Sequence, residues 1–200
     1  MCNLYTMNAS VDELRRAFGP FRGDTANLPS FGDIYPNRAA PVLRAEDDEL
    51  VLDVMQWGFP GPTAAGRRPV TNVRNLASPF WRSALKSPER RCIVPVTRFC
   101  EWTAEPDPET KRKRKVWFGL HEAEHPVFAF AGIWRRVEEG RAMAFLTCEP
   151  NELVGAIHPK AMPVILNPAD VRRWLSDEMA SACALAVPFA TERMRQFANP

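Results

Sequence analysis

Apolar and polar residues repeat on two periods along this chain, and the change from one to the other marks its elements. Over residues 11–18, Val11, Leu14, Ala17 and Phe18 recur at helical spacing and make one face. Ser10 precedes them as a cap, Glu13 completes a capping box, and Gly19-Pro20 stops the helix. Residues 21–37, rich in Pro, Gly and Asn, read as a loop. Strand-like runs follow at 41–44 and 50–57, with Glu46-Asp47-Asp48 as a hairpin turn between them. Ser78-Pro79 opens a second short helix, with serine as cap and proline at its first position. Strand-like runs recur at 92–96, 116–120, 127–134 and 142–148, with Glu139-Gly140 as a turn before the last. Asn167-Pro168-Ala169-Asp170 opens a helix through Leu175. Strands dominate and helices come at intervals, which predicts an antiparallel-rich α+β fold rather than a doubly wound parallel sheet.

Composition narrows this further. Two hundred residues without a repeat or low-complexity linker fit a single domain over 1–200. Nineteen prolines argue against a helical bundle, and 46% apolar residues with six tryptophans can build a sizeable core. A formal net charge of +2 neither demands nor excludes nucleic acid, because a local basic groove is enough. The run Lys111-Arg112-Lys113-Arg114-Lys115 reads as a solvated loop between strands. The five cysteines are odd in number and widely spaced, and none forms a C-x-x-C pair. With no secretory segment and no 18-residue apolar run, the expectation is a reduced, cytoplasmic, soluble protein. Cys92 reads as a buried core thiol.

His121-Glu122-Ala123-Glu124-His125 spells the zinc motif H-E-x-x-H. That motif works on a helix, where both histidines share a face. Here five residues join two strand-like runs and Pro126 follows at once, so a polar hairpin turn is expected and no metal.

Cys2 offers chemistry that an internal cysteine lacks. Its small side chain favours removal of Met1, which leaves an amine and a thiol on adjacent carbons. Such a pair meets an aldehyde in two steps: the amine forms an imine, and sulfur closes a five-membered thiazolidine. An α-amine of pKa near 7.8 is roughly 20% free base at pH 7.2, against less than about 0.1% for a lysine. The thiol needs only modest activation.

Three further segments carry polar groups suited to a site. His158 precedes an apolar run broken by prolines, as in a loop entering a buried strand. Glu101 lies among Phe99, Cys100 and Trp102, where a carboxylate is either paired or raised in pKa and usable as an acid or base. Asn72 and Arg74 place an amide near a guanidinium; the first can orient a nucleophile and the second fits a phosphate. Each residue alone is more often structural.

Together the segments resemble the SOS-response-associated peptidase (SRAP) family, the abasic-site processing proteins. The resemblance rests on Met1-Cys2-Asn3-Leu4-Tyr5, Gln56-Trp57-Gly58-Phe59-Pro60, Thr71-Asn72-Val73-Arg74, Phe99-Cys100-Glu101-Trp102, Phe130-Ala131-Gly132-Ile133-Trp134, Thr147-Cys148-Glu149-Pro150-Asn151 and the stretch from Ile157-His158 to Leu166, in that order. It implies an α+β fold with a curved, barrel-like, mostly antiparallel sheet, peripheral helices and a basic cleft. It implies Cys2 as the crosslinking residue and the nucleophile of autoproteolysis. Asn72 would hold Cys2 and the sugar, Glu101 would shuttle protons, and His158 would assist sugar-ring opening. Arg74 would grip phosphate, and Trp57 and Trp102 would pack or stack near bases, with the core as an equal alternative for Trp57. The implied partner is single-stranded DNA with abasic sites, bound by a monomer without cofactor. Two departures stand out. Leu4 occupies a position where many members carry a DNA-contacting arginine, with Arg38, Arg82 and Arg98 as candidate replacements. His158-Pro159-Lys160-Ala161-Met162-Pro163 is one residue longer than His-Asp-Arg-Met-Pro and lacks the carboxylate beside the histidine.

Three functions compete. A crosslinker would trap the ring-opened aldehyde, with lyase-type nicking if sulfur fails to close. A thiol peptidase would use Cys2 on peptides, with Met1 removal as self-processing. A non-catalytic reader would bind single strands through the 111–115 run, independently of Cys2.

Overall fold

A computed structural model describes residues 2–25, 31–61, 68–121, 127–138 and 140–198. Its elements in chain order are β1 (Tyr5–Met7), α1 (Val11–Phe18), β2 (Phe21–Arg22), β3 (Gly32–Ile34), β4 (Ala39–Glu46), β5 (Glu49–Trp57) and β6 (Asn72–Val73). There follow α2 (Pro79–Lys86), β7 (Arg91–Val96), β8 (Arg98–Trp102), β9 (Lys115–Leu120), β10 (Phe128–Val137) and β11 (Gly140–Cys148). The chain ends with α3 (Glu152–Gly155), β12 (Met162–Pro163), β13 (Ile165–Leu166), α4 (Pro168–Ser176), α5 (Met179–Cys183) and β14 (Met194–Phe197).

The α+β expectation holds, and the curved sheet closes on itself. β5, β4, β7, β10 and β11 pair antiparallel in that order, and β11 returns to β5 in parallel at Ala142↔Gln56 and Met143↔Trp57. Closing the ring removes the exposed edges that an open sheet would present. A second sheet, ordered β14-β9-β8-β1-β3, packs against the barrel. An aromatic ladder joins the two. Tyr5 of β1 meets Trp57 at 5.1 Å and Phe145 at 6.0 Å, and Phe99 of β8 meets Phe130 at 5.7 Å. Edge-on and tilted rings of this kind add specificity to the apolar burial. They also fix β1, and hence Cys2 three residues before Tyr5.

Local signals behave as their chemistry dictates. Ser10 and Glu13 make the reciprocal capping box, and Ser78 accepts from the Phe80 N–H. Asp47 and Asp48 both take positive φ, 52° and 62°, which suits a two-residue hairpin whose twist matches its strands. The loop expected over 21–37 is corrected in part. β2 pairs with β5 and β3 with β1, partners that lie outside the local window from which a loop was read. The turn at Glu139-Gly140 falls half outside the described residues, and residues 122–125 of the H-E-x-x-H string lie outside them. Among the described residues, no helix is long and apolar enough to cross a membrane.

Candidate active site

Each polar group of the site sits at the end of an element whose packing holds it. Trp57, the last residue of β5, is fully buried, and its indole N–H donates to the Thr71 carbonyl at 3.1 Å. Gly58 then turns the chain with φ 120°; a β-carbon there would come within 2.6 Å of Pro69. Only glycine takes that conformation and that approach without strain. The returning segment lays Asn72 beside Phe145 of β11. The Asn72 side-chain amide donates to the Cys2 carbonyl at 3.1 Å and to Thr71 Oγ1 at 2.8 Å. Its buried Oδ1 has no partner among the described residues.

Glu101 arrives from β8, opposite Val116 of β9. It is 1% exposed. Burial pushes its carboxyl up to about 7. Cys2, also 1% exposed, donates its thiol to the Leu4 carbonyl at 3.4 Å. Burial first, and then Glu101, hold that thiol well above its ordinary pKa.

His158 is placed by Asn151. Asn151 caps α3 through the Val154 N–H at 3.0 Å, and its amide donates to the Phe189 carbonyl at 2.8 Å. The His158 N–H closes the same turn on the Val154 carbonyl at 2.8 Å. Its imidazole Nδ1 stands 3.9 Å from Glu101 Oε2. Burial first, and then the positive charges of the N-terminus, Lys160, Lys113 and Arg74, push His158 down to about 4. At pH 5–6, therefore, both groups are neutral. At 3.9 Å the Nδ1–Oε2 approach is longer than a hydrogen bond.

Arg74 follows β6. Its guanidinium forks onto the Glu149 carboxylate at 2.8 Å and the Lys160 carbonyl. Both ionic side chains are exposed at the rim, where such a pair contributes little to stability. Trp102, half-buried, donates its indole N–H to Asn3 Oδ1 at 3.1 Å. A buried thiol, an amide on its backbone, a glutamate–histidine pair and a rim arginine thus converge on the N-terminal strand.

The sequence profile of the SOS response associated peptidase (SRAP) family matches residues 1–198. This chain belongs to the SRAP family. Abasic site processing protein YoqW of Bacillus subtilis (strain 168) is 27% identical over 189 residues, covering 88% of this chain and 80% of YoqW. The protein of that name from Bacillus phage SPbeta matches to the same extent. A solved structure from Bacteroides thetaiotaomicron superposes with a TM-score of 0.80 at 23% identity, over 98% of this chain and 91% of the other. One from Bordetella bronchiseptica gives 0.77 at 21% identity over the whole of both chains. At these identities the two structures speak for the SRAP fold alone.

Of the residues that the SRAP resemblance selects, Cys2, Asn72, Glu101 and His158 meet, with Arg74 and Trp102 at the rim. Of the two places read for Trp57, near the bases or in the core, the structure gives the core: it is sealed there and supports Thr71, which corrects its place among the DNA-contacting residues. Arg82 is exposed on α2, and among the described residues no hydrogen bond or ion pair joins it to the cluster. Arg98 pairs with Thr6 at the far end of β8 from Trp102, with its guanidinium 4.1 Å over the Phe197 ring. Arg38 is exposed beyond β3. Thr71, Asn151 and Glu149 were not singled out from the sequence. Only Asn151, two residues before an apolar helical start, carried a local signal, that of a cap.

Proposed function

We propose that this protein processes abasic sites in single-stranded DNA by bonding covalently to them through Cys2, once Met1 has been removed. The observation that carries this reading is the convergence of Asn72, Glu101 and His158 on the N-terminal cysteine. The name of the Bacillus relatives supports it.

The chemistry follows from the groups present. In the 200-residue chain the Cys2 nitrogen is an amide; hydrolysis of the Met1–Cys2 bond makes it an amine. Neutral His158 accepts the C1′ hydroxyl proton as the C1′–O4′ bond breaks and returns it to O4′, so the deoxyribose opens to its aldehyde and His158 is neutral again. The amine adds to C1′ and gives a carbinolamine. Glu101, still protonated near neutral pH, donates to the departing hydroxyl, so water leaves and an iminium remains. Sulfur then bonds to C1′, the C=N electron pair returns to nitrogen, and the thiol proton passes to the Glu101 carboxylate. Glu101 ends as it began, and one water is released overall. The thiol closes last, which suits a group that burial keeps protonated until an electrophile is beside it. Asn72 holds the Cys2 carbonyl and so fixes the direction of both nucleophiles. Arg74 exchanges Glu149 for a phosphate of the strand.

The test is a denaturing gel of the protein with single-stranded DNA carrying one abasic site, beside undamaged DNA and the Cys2→Ser variant. A heat-stable slow band is expected only for the wild type with the lesion. Serine can still form an imine, which borohydride traps, but it cannot close the sulfur ring. A stable band of equal yield from Cys2→Ser would overturn the thiazolidine reading.

A further inference from the structure

Among the segments on which the SRAP resemblance rests, the one that ends at Trp134 supplies nothing to the Cys2 site. Gly132 of β10 pairs with Phe145, beside Asn72, but Trp134 pairs with Met143 and Arg136 with Arg141, farther from the site along both strands. Arg141 stands about 23 Å along β11 from Cys148 at the usual rise per residue. Alternation decides which way Trp134 faces. Arg91 pairs with Ile133 and donates to α2 and α4, so that parity faces the helices. Trp134 and Arg136 have the opposite parity and face inward. A β-carbon on Gly132, which shares it, would come within 2.9 Å of Cys92 Sγ. Trp134 therefore closes the end of the barrel away from β1.

Three guanidiniums gather over its ring, that of Arg90 at 4.9 Å, Arg44 at 5.5 Å and Arg141 at 5.7 Å from the ring centre. Two of them are neutralised. Arg44 bonds Asp53 at 3.1 Å and Glu46 at 2.9 Å, and Arg141 bonds the same Asp53. Arg90, Arg135 and Arg136 form no ion pair among the described residues. These three line one cavity of about 400 Å³ together with Ser87 and Trp134, and exposed Glu89 is its one acid among the described residues. Three positive charges against one negative leave an excess of two. Arg135 is fixed over the Phe59 and Phe80 rings at 4.4 and 4.7 Å and donates to the Pro60 carbonyl at 3.3 Å. Ser87 precedes the short 3-10 turn Pro88–Arg90 without capping it, which leaves its hydroxyl to other partners.

A second observation points the same way. Trp134 is 7% exposed, and its buried indole N–H has no acceptor among the described residues. Buried donors are nearly always paired. This one lies where unpaired cations gather, a setting that favours an anionic acceptor from outside the chain.

We infer that the far end of the barrel holds a second site, specific for phosphomonoesters, in which Arg90 and Arg136 grip the phosphate and Trp134 and Ser87 donate to it. Guanidinium forks match phosphate oxygens in pairs. An excess of two charges suits a phosphomonoester, which carries about −1.5 to −2 at pH 7, better than a singly charged carboxylate or backbone phosphodiester. A free nucleotide and a nucleic-acid strand that ends in a phosphate both present this group. The site is separate from Cys2 and does not depend on the crosslinking chemistry.

The test follows the indole N–H signals of the full chain in a proton–nitrogen correlation spectrum, with that of Trp134 assigned from Trp134→Phe. Inorganic phosphate, thymidine monophosphate, thymidine, and a short oligothymidylate with or without a terminal phosphate are titrated at constant ionic strength. The Trp134 signal should move saturably with inorganic phosphate, the monophosphate and the phosphorylated oligomer, and stay in place with the other two. Arg90→Gln and Arg136→Gln should each weaken the response to the monophosphate about tenfold. Arg74→Gln, at the rim of the Cys2 site, should leave it as in the wild type. Tighter binding of the phosphorylated oligomer than of the monophosphate assigns the site to strand ends, and binding no tighter assigns it to free nucleotides; either supports the site. A Trp134 signal that ignores all three phosphates, moves equally with the unphosphorylated oligomer, or loses its response equally in Arg74→Gln would overturn it.

Discussion

Replacing Glu101 by glutamine will slow adduct formation by roughly a hundredfold or more, the usual contribution of a placed acid–base group, and will make the fold more stable above pH 7. The two effects share one cause. The Glu101 carboxyl titrates near 7 in the folded chain, against 4.5 ordinarily, because burial opposes its charge. Between pH 4.5 and 7 the folded chain therefore holds a proton that the unfolded chain has lost. Stability falls as pH rises through that window and is level above it. A shift of this size costs on the order of 3 kcal/mol at pH 8, which glutamine, never ionising, avoids. His158 acts in the opposite sense. Its folded value of about 4 lies below the ordinary 6.5, so its contribution falls as pH drops from 6.5 to 4. The two trends offset each other between pH 4.5 and 6.5 in the wild type. In Glu101→Gln only the histidine trend remains, so stability should climb from pH 4 to 6.5 and then level off. Urea unfolding at pH 4.5, 6, 7 and 8 reads this directly. Parallel pH curves for the two proteins would mean that Glu101 is not held protonated.

The largest loss of stability should come from Arg91→Met. Arg91 is fully buried at the start of β7. Its Nε and one terminal nitrogen donate to the Leu85 carbonyl at 3.0 and 2.8 Å, and the other terminal nitrogen donates to Trp174 at 3.0 Å and Asp177 at 2.6 Å. Those carbonyls belong to the last turns of α2 and α4, where backbone acceptors have no partner within the helix. One guanidinium thus satisfies two helix ends, and its charge complements both dipoles. Methionine fills much of the volume but donates nothing, which takes the donor from two buried carbonyls, those of Leu85 and Trp174, and from the part-buried carbonyl of Asp177. The expected cost is about 3–5 kcal/mol, a large part of a small domain's stability, read as a lowered urea midpoint with an unchanged slope. A loss below about 1 kcal/mol would show that water reaches those carbonyls.

What could be read from the sequence follows from how local each signal is. The α1 cap and the β4–β5 turn are decided within a few residues, and both form as their residue types require. β1, β3 and β8 are short, and β1 and β3 exist mainly because each finds a partner far along the chain. The same holds for the site. A glutamate among aromatic residues raised the question of burial at position 101, but only the packing of two sheets answers it. Asn72 reaches Cys2 across 70 residues, a meeting that no spacing rule anticipates. Trp57 illustrates the reverse: its motif left a base-stacking ring and a core ring equally open, and the barrel closes over it.

The most direct measurement is the intact mass of the product from abasic single-stranded DNA, taken with and without borohydride. Thiazolidine chemistry predicts protein lacking Met1 plus DNA minus one water, stable to denaturation, with no gain of two hydrogens on reduction. Cys2→Ala should give that mass only after borohydride, with the two hydrogens added to its imine. An adduct that retains Met1, or wild-type protein lacking Met1 that gives no adduct, would contradict bonding through the Cys2 amine and thiol.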